Sequence, residues 1–543
     1  MKIITSYDNV IAEAASLTHR VQRRDALIAA LQILEQLPVS DDLEQNRRAL
    51  ERLLGDSSDW VQRTFHAGGQ REALLAYFDG IVEMSSLEEY VIKPLMNQAG
   101  PVQAPFGIDA MYQALCRTVV PHSRIHFAAN MREVIDGLLH GDAVVMLDGE
   151  TTALIVSARA VPMRNVSEPE TEAVVRGPRE GFIENLRSNT ALIRRRIRTP
   201  QLKMESVRVG RLSRTDVVIC YIQGLAPDPI VREVKRRISR IDIDAVLDSA
   251  TVEELVEDDP YSPFPQLIST ERPDIVAANL LEGRVAILVD GSPFALIAPA
   301  TLWTFLQASE DFYDRFYIGT FLRLLRLGLA SVALLGPAFY VAVTTFHQEM
   351  LPSALLLTVA ATREGIPFPS VVEALIMELL LEALREAGVR LPRNVGQAVS
   401  IVGALVIGQA AVQAGLVSSP MVIIVAVTGI ASFTFPRFNF GIAIRLIRFP
   451  VVLLASVFGL YGIVICILAV LIHLAGLRSF GIPYLQPVAP LIPTDLADTV
   501  VRPPVWLRGT RPALTAYLNP RRQGRRIKPG PDPWERACGG DQE

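Results

Sequence analysis

Glu378, Glu382 and Glu386 recur every four residues in an otherwise apolar stretch, Pro367 to Ala387, that also holds Glu373. On a helix this spacing puts the three carboxylates on one face. Such a helix is amphipathic and is expected at a membrane interface or along a wet surface. A second charged group is basic. RGPREGFIENLRSNTALIRRRIRTP, residues 176–200, carries Arg176, Arg179, Arg187, Arg194, Arg195 and Arg196, with Ser188 or Asn189 placed to cap a helix. It reads either as a contact surface for phospholipid or an acidic partner subunit, or as a solvated face paired with Glu180 and Glu184. His122 and His126 would share a helix face, but no third metal ligand accompanies them. Asp242/Asp244 and Asp258/Asp259 read as solvated turns. The sequence holds no phosphate loop, dinucleotide fingerprint, nucleophile elbow or H-E-x-x-H. We therefore expect no enzyme activity, cofactor or metal site.

The elements that carry these residues follow from composition. The chain has 543 residues, 50% of them hydrophobic and only 20% charged, where about 25% charged is usual. The deficit is concentrated: Leu327 to Leu477 holds thirteen Asp, Glu, Lys or Arg. A polar front half thus precedes a membrane-like block and a short basic tail. A net charge of −4 argues against a nucleic-acid partner. Cys116, Cys220, Cys466 and Cys538 lie far apart, which excludes a disulfide scaffold and a cysteine zinc site. The first thirty residues lack an apolar core, so no signal peptide is expected and the front half should stay cytosolic.

The front half contains a repeat. LLHGDAVVMLDGETTALIVSA (138–158) aligns without a gap to LLEGRVAILVDGSPFALIAPA (280–300) at an offset of 142. Asp148-Gly149 and Asp290-Gly291 signal hairpins, because glycine accepts the positive φ of a tight turn. Tyr77 and Tyr221 keep nearly the same offset, and a helix-compatible polar stretch follows each. The expected organisation is a helical N-terminal extension (1–45), a first α+β subdomain (46–170), an arginine-rich connector (171–205) and a second α+β subdomain (206–318).

Residues 319–480 are expected to form an all-α multi-pass membrane domain. The main segments are Phe321–Phe346, Gly396–Val417, Met421–Phe435 and Pro450–Leu477. Amphipathic helices are expected at Pro367–Ala387 and Asn439–Phe449. Arg323 and Arg326 should reach the headgroups at the start of the first segment. With this count Arg437, Arg445 and Arg448 fall on the outer side, against the positive-inside rule. Residues 481–543 form a basic cytosolic tail suited to anionic lipid, with Arg521, Arg522, Arg525, Arg526 and Lys528 close together. In the short third segment Ile424, Val427, Thr428 and Ala431 make one stripe at helical spacing. Several copies around an axis would give a narrow hydrophobic pore; an ordinary buried bundle helix fits the same residues.

The chain resembles the A subunits of the spore germinant receptors, the GerA family, from about Leu53 to Arg522. The resemblance rests on the arginine-rich stretch at 176–200, SPFPQ at 262–266 and TERPDIVAANLLEGRVAILVDGSPFALIAP at 270–299. It extends to LRLLRLGLASVALLGPAFYVAV, REGIPFPSVVEALIMELLLEALREAG and SPMVIIVAVTGIASFTFP in the apolar block. It implies a subunit of a spore nutrient receptor in the inner membrane, with a transporter-like B subunit and a lipoprotein C subunit as partners. It further implies homo-oligomers that form a nutrient-gated channel for monovalent cations, with 421–435 as the pore helix. A paralogue, the stage V sporulation protein AF, shares the channel-like fold, and an amplifying channel or scaffold of that kind is the alternative. GDSSDWVQRTF at 55–65 resembles the receptor subunits more.

Overall fold

A computed structural model describes residues 36–67, 71–97, 125–160, 168–169, 171–390, 408–524 and 528–529. Most of the expected N-terminal extension, most of the 396–417 segment, His122, Arg525 and Arg526 lie outside the described residues. The chain divides into two units. One comprises Met1–Glu257, Leu267–Pro299 and Val505–Glu543, the other Asp258–Gln266 and Ala300–Pro504.

The first unit is built twice. Strands β1 (Trp60–Ala67), β2 (Arg71–Phe78), β3 (Ile125–Ala128), β4 (Ala143–Leu147) and β5 (Ala153–Val156) form one sheet in the order β1-β2-β4-β5-β3. Strands β6 (Leu202–Val209), β7 (Thr215–Ile222), β8 (Ile268–Thr270), β9 (Val285–Val289) and β10 (Ala295–Ala298) form the other, in the order β6-β7-β9-β10-β8. The orders correspond strand for strand, and every neighbouring pair is antiparallel. AVVML and VAILV are the central β4 and β9, buried at every position, as unbroken apolar runs of strand length should be. Each leads into its Asp-Gly turn, where Gly149 and Gly291 take φ of 80° and 84°.

The duplication also includes a helix at the start of each repeat. Helix α1 (Leu43–Leu54) is capped by Asp42, whose carboxylate accepts from the Glu44 and Gln45 amides. Helix α2 (Met131–Leu139) follows β3. Helix α3 (Leu186–Arg196) is capped by Asn185, which accepts from the Ser188 amide. In the first repeat Asn46 accepts from Ser40 N at 2.9 Å and donates to Ser40 O at 2.7 Å. In the second, Asn189 does the same with Ile183 at 2.9 and 2.5 Å. The turn aspartates Asp148 and Asp290 each accept from the first helical amide, of Leu43 and Leu186, at 3.3 Å. Residues Leu186–Arg196 of the arginine-rich segment thus form a helix equivalent to α1. Helices α4 (Asp228–Ser239), α5 (Ser249–Val256) and α6 (Pro273–Leu280) complete that repeat.

Part of the expected tail also belongs to this unit. Thr515 Oγ1 donates to Glu282 O at 2.8 Å, Arg511 Nε to Leu281 O at 2.9 Å, and Arg522 Nη1 to Glu282 Oε1 at 3.0 Å. The tail arginines Arg511 and Arg522 are thus bound to protein acceptors.

The second unit is helical. Helix α7 (Phe316–Phe346) runs unbroken through Pro337. It is followed by α8 (Ser353–Arg363), α9 (Ser370–Arg390), α10 (Ser419–Ser432), α11 (Phe438–Phe458) and α12 (Leu460–Gly476). By length and composition α7 and α11 are each able to cross a bilayer; α8, α10 and α12 are shorter apolar helices. The break near residue 450 expected from Pro450 falls instead at Gly459. Pro450 lies inside α11, and helices in an apolar setting accommodate an internal proline. Gly459 has φ of 62°, and a Cβ there would lie 2.7 Å from the His347 ring. Backbone conformation and space both require glycine.

Candidate functional site

The functional candidates converge on α9, α10 and α11. Helix α10 begins with Pro420 in its first turn, a position that tolerates the missing amide donor. Its 14 residues rise about 21 Å at 1.5 Å each, short of a hydrocarbon core of about 30 Å. Met421, Val425, Thr428 and Ala431 are buried in the chain's own bundle, with Ala338, Val341, Val451 and Val452 in the same core. The contact with α7 is close because Gly336 carries no side chain: a Cβ there would sit 3.0 Å from Thr428 Oγ1. The opposite face of α10 exposes Ile423, Val427, Ile430 and Phe433.

Of the expected pore stripe, Val427 is on this open face and Ile424 is half-buried. Thr428 and Ala431 are buried against the chain's own bundle. Spacing identifies which residues share a face, and the packing, with bare Gly336 against Thr428, sets which face turns inward.

The α9 acids are divided: Glu373 and Glu378 are buried, while Glu382 and Glu386 reach solvent. Glu378 is 4% exposed and accepts from Arg448 of α11 at 2.5 Å. Glu382 pairs with Arg445 of α11 and with Arg385 one turn along its own helix. Glu373 is fully buried; its Oε2 accepts from the Ser418 amide at 2.9 Å and from Ser418 Oγ at 2.8 Å, and Arg363 Nη2 lies 3.4 Å from Oε1. Glu386 is exposed near the end of the series. Glu378 is thus held inside the bundle, and Glu382 is paired at its partly exposed edge. Carboxylates in an apolar bundle need cationic partners, and α11 supplies them. The same pairs account for Arg445 and Arg448, whose position had conflicted with the positive-inside rule.

Arg323 and Arg326 likewise do not extend outward. Arg326 pairs with the buried Asp311 at 2.5 and 2.8 Å; Arg323 lies 3.3 Å from Asp311 and donates to Asp498 O at 2.9 Å. Neither Asp311 nor Asp498 was distinguishable by motif.

In the first unit Arg194 is buried and donates to both Asp59 oxygens, at 2.9 and 2.8 Å, and to Leu202 O at 3.0 Å. Its guanidinium lies 4.4 Å from the Phe78 ring centroid. Arg194 is therefore unavailable to lipid or to a partner subunit. Arg187 pairs with Asp79, Arg195 donates to Ala160 O at 2.7 Å, and Arg196 pairs with Glu180 at 2.6 Å. The ties from Arg187, Arg194 and Arg195 bind α3 to the first repeat. Arg176 and Arg179 remain exposed, Arg179 with Glu168 at 3.3 Å. Beside Arg194, Lys203 donates to Leu53 O at 3.0 Å at the C-terminal end of α1. Burial holds its ammonium below the usual lysine range.

The profile of the Bacillus/Clostridium GerA spore germination protein family matches residues 48–514. The chain is 46% identical over 506 residues to the uncharacterized membrane protein YfkQ of Bacillus subtilis (strain 168), covering 92% of this chain and 98% of that protein. It is 45% identical over 495 residues to spore germination protein KA of the same strain, covering 91% and 90%. Among solved structures, the N-terminal domain of the A subunit of the Bacillus megaterium spore germinant receptor GerK3 aligns at 35% identity and a TM-score of 0.39, over 49% of this chain and 98% of that one.

Proposed function

The chain belongs to the GerA family of spore germination proteins, and we propose that it is the membrane subunit of a spore nutrient receptor whose copies assemble into a gated ion channel. In this reading the helical unit is embedded in the inner membrane as a multi-pass domain and the duplicated α+β unit is cytosolic. Nutrient opens the channel, and monovalent cations leave the spore. A transporter-like B subunit and a lipoprotein C subunit complete the receptor.

The observation that carries the reading is the split character of α10. One face is held by α7 and by its own bundle, while Ile423, Val427 and Ile430 form an exposed apolar face among the described residues. A short apolar helix repeated around an axis makes a constriction that excludes water and therefore ions until it widens. The fixed back of the helix gives each copy the same setting.

The test is ion flux from liposomes containing the purified protein, with wild type beside Val427→Glu. A carboxylate at the constriction wets it, so the variant is expected to raise resting flux. Unchanged flux in Val427→Glu, with oligomers confirmed in the membrane, would reject the pore assignment and make the protein a non-conducting scaffold.

A further inference from the structure

Helix α9 meets α10 at three heights. At the start of α10, Glu373 Oε2 accepts from the amide and hydroxyl of Ser418, the N-cap residue, at 2.9 and 2.8 Å. One turn before the end, Leu381 lies under Gly429, where a Cβ would be 3.2 Å from it. At the end, Arg385 Nη2 donates to Ser432 Oγ at 2.7 Å, and its guanidinium lies 4.8 Å from the Phe433 ring centroid. Ser432 Oγ in turn donates to Gly429 O at 2.6 Å. The two helices therefore run in the same direction, in matched register.

The charges at the two ends are matched to the helix they hold. The first amides of a helix carry partial positive charge and the last carbonyls partial negative charge. Glu373, a carboxylate, is at the positive end of α10, and Arg385, a guanidinium, is at the negative end. Each is backed from outside α10: Glu373 by Arg363 at 3.4 Å, and Arg385 by Glu382, which also pairs with Arg445 of α11. At the fully buried Glu373 this attraction is little screened by water, while the Arg385 end lies nearer solvent, with Glu382 partly exposed. Rotation of α10 about its axis would break the Ser432 contact and move the guanidinium off Phe433.

We propose that Glu373 and Arg385 are the positioning residues of the gate: together they clamp both ends of α10 and hold the Ile423–Val427–Ile430 face in its shut setting. The proposal rests on the pore reading above. Opening requires the Arg385 end to release.

The experiment is resting ion flux in liposomes from purified full-length oligomers, comparing wild type with Arg385→Gln, Arg385→Lys, Ser432→Ala and Val427→Glu. Arg385→Gln and Ser432→Ala are expected to raise resting flux roughly tenfold, which corresponds to about 1.4 kcal/mol of lost bias toward the shut state. Arg385→Lys keeps the charge but loses the planar stack, and should fall between wild type and Arg385→Gln. Because both act on one bond, the double variant Arg385→Gln/Ser432→Ala should leak no more than Arg385→Gln alone. A structural role alone would lower the yield of oligomers and leave flux per oligomer unchanged. Wild-type flux per oligomer in Ser432→Ala, whose single lost hydroxyl leaves the fold intact, overturns the clamp. If Val427→Glu leaks while the clamp variants do not, the clamp fails and the pore stands. If Val427→Glu is silent, both fail.

Discussion

Arg448 of α11 donates Nη1 to Glu378 of α9 at 2.5 Å, with both side chains almost entirely removed from solvent. This pair sets the rotation of two helices at once, because each charge has its nearest compensation on the other helix. It also gives the apolar block an internal polar seam, extended by Glu382 and Arg445 one turn away.

Removing one partner of this pair should cost far more than removing both. Arg448→Ala leaves Glu378 buried without a counter-charge, a change of about 3–5 kcal/mol. The expected result is a large loss of thermal stability in detergent, with substantial recovery in Arg448→Leu/Glu378→Leu. Equal losses in the single and double variants would show that the pair is not what orients these helices.

The two repeats of the first unit should be uncoupled by a change at Arg194. Asp59 accepts both of its close hydrogen bonds from this guanidinium. Arg194→Ala is expected to destabilise the unit by about 3–5 kcal/mol, read as a lower melting temperature and faster amide exchange in β1 and α3. Arg187→Ala, which breaks the solvent-exposed pair with Asp79, should cost no more than about 1 kcal/mol.

Stability should also depend on pH through Glu253 of α5. Burial, reinforced by Glu257 and Asp248, pushes its carboxyl up to about 7. Below its ordinary value of 4.5 both the folded and unfolded states bind the proton, and nothing is lost. Between 4.5 and about 7 the folded state holds the proton and the unfolded chain does not, so stability falls as pH rises and then levels off. At about 1.4 kcal/mol per pKa unit, reduced because Glu253 is partly exposed, the loss is roughly 1–3 kcal/mol. Glu253→Gln should flatten melting temperature against pH across this window and raise it at pH 8. A variant curve parallel to wild type would remove Glu253 as the cause.

Much of the first unit is legible in its residues. The Asp-Gly turns require glycine at φ near 80°, and the apolar runs before them are of strand length, so β4, β5, β9 and β10 follow from local chemistry. The repeat extends further than its hairpins show. Asn46 and Asn189 stand in equivalent positions and mark α1 and α3 as a pair. The density of arginines around Asn189 obscures that signal, because charge suggests a surface, yet Arg194 is buried against Asp59. Asp59 has no local signature at all, since it acquires its role only when β1 comes to lie beside α3.

Local chemistry is enough to specify most of the helices and strands, the duplication of the soluble half, and the charge-poor helical block that follows it. These depend on neighbours within a few turns, on hydrophobic period and on backbone stereochemistry. The direction of each face comes from the folded chain. Glu378 and Glu382 share a face by spacing, but it is the pairing with Arg448 of a distant helix that buries Glu378, while Glu382 pairs with Arg445 and stays partly exposed. Thr428 and Val427 are adjacent in sequence, but packing against distant helices, with bare Gly336 beside Thr428, buries Thr428 and leaves Val427 open. Helical period defines a stripe up to rotation about the axis, and packing against partners far along the chain supplies the angle.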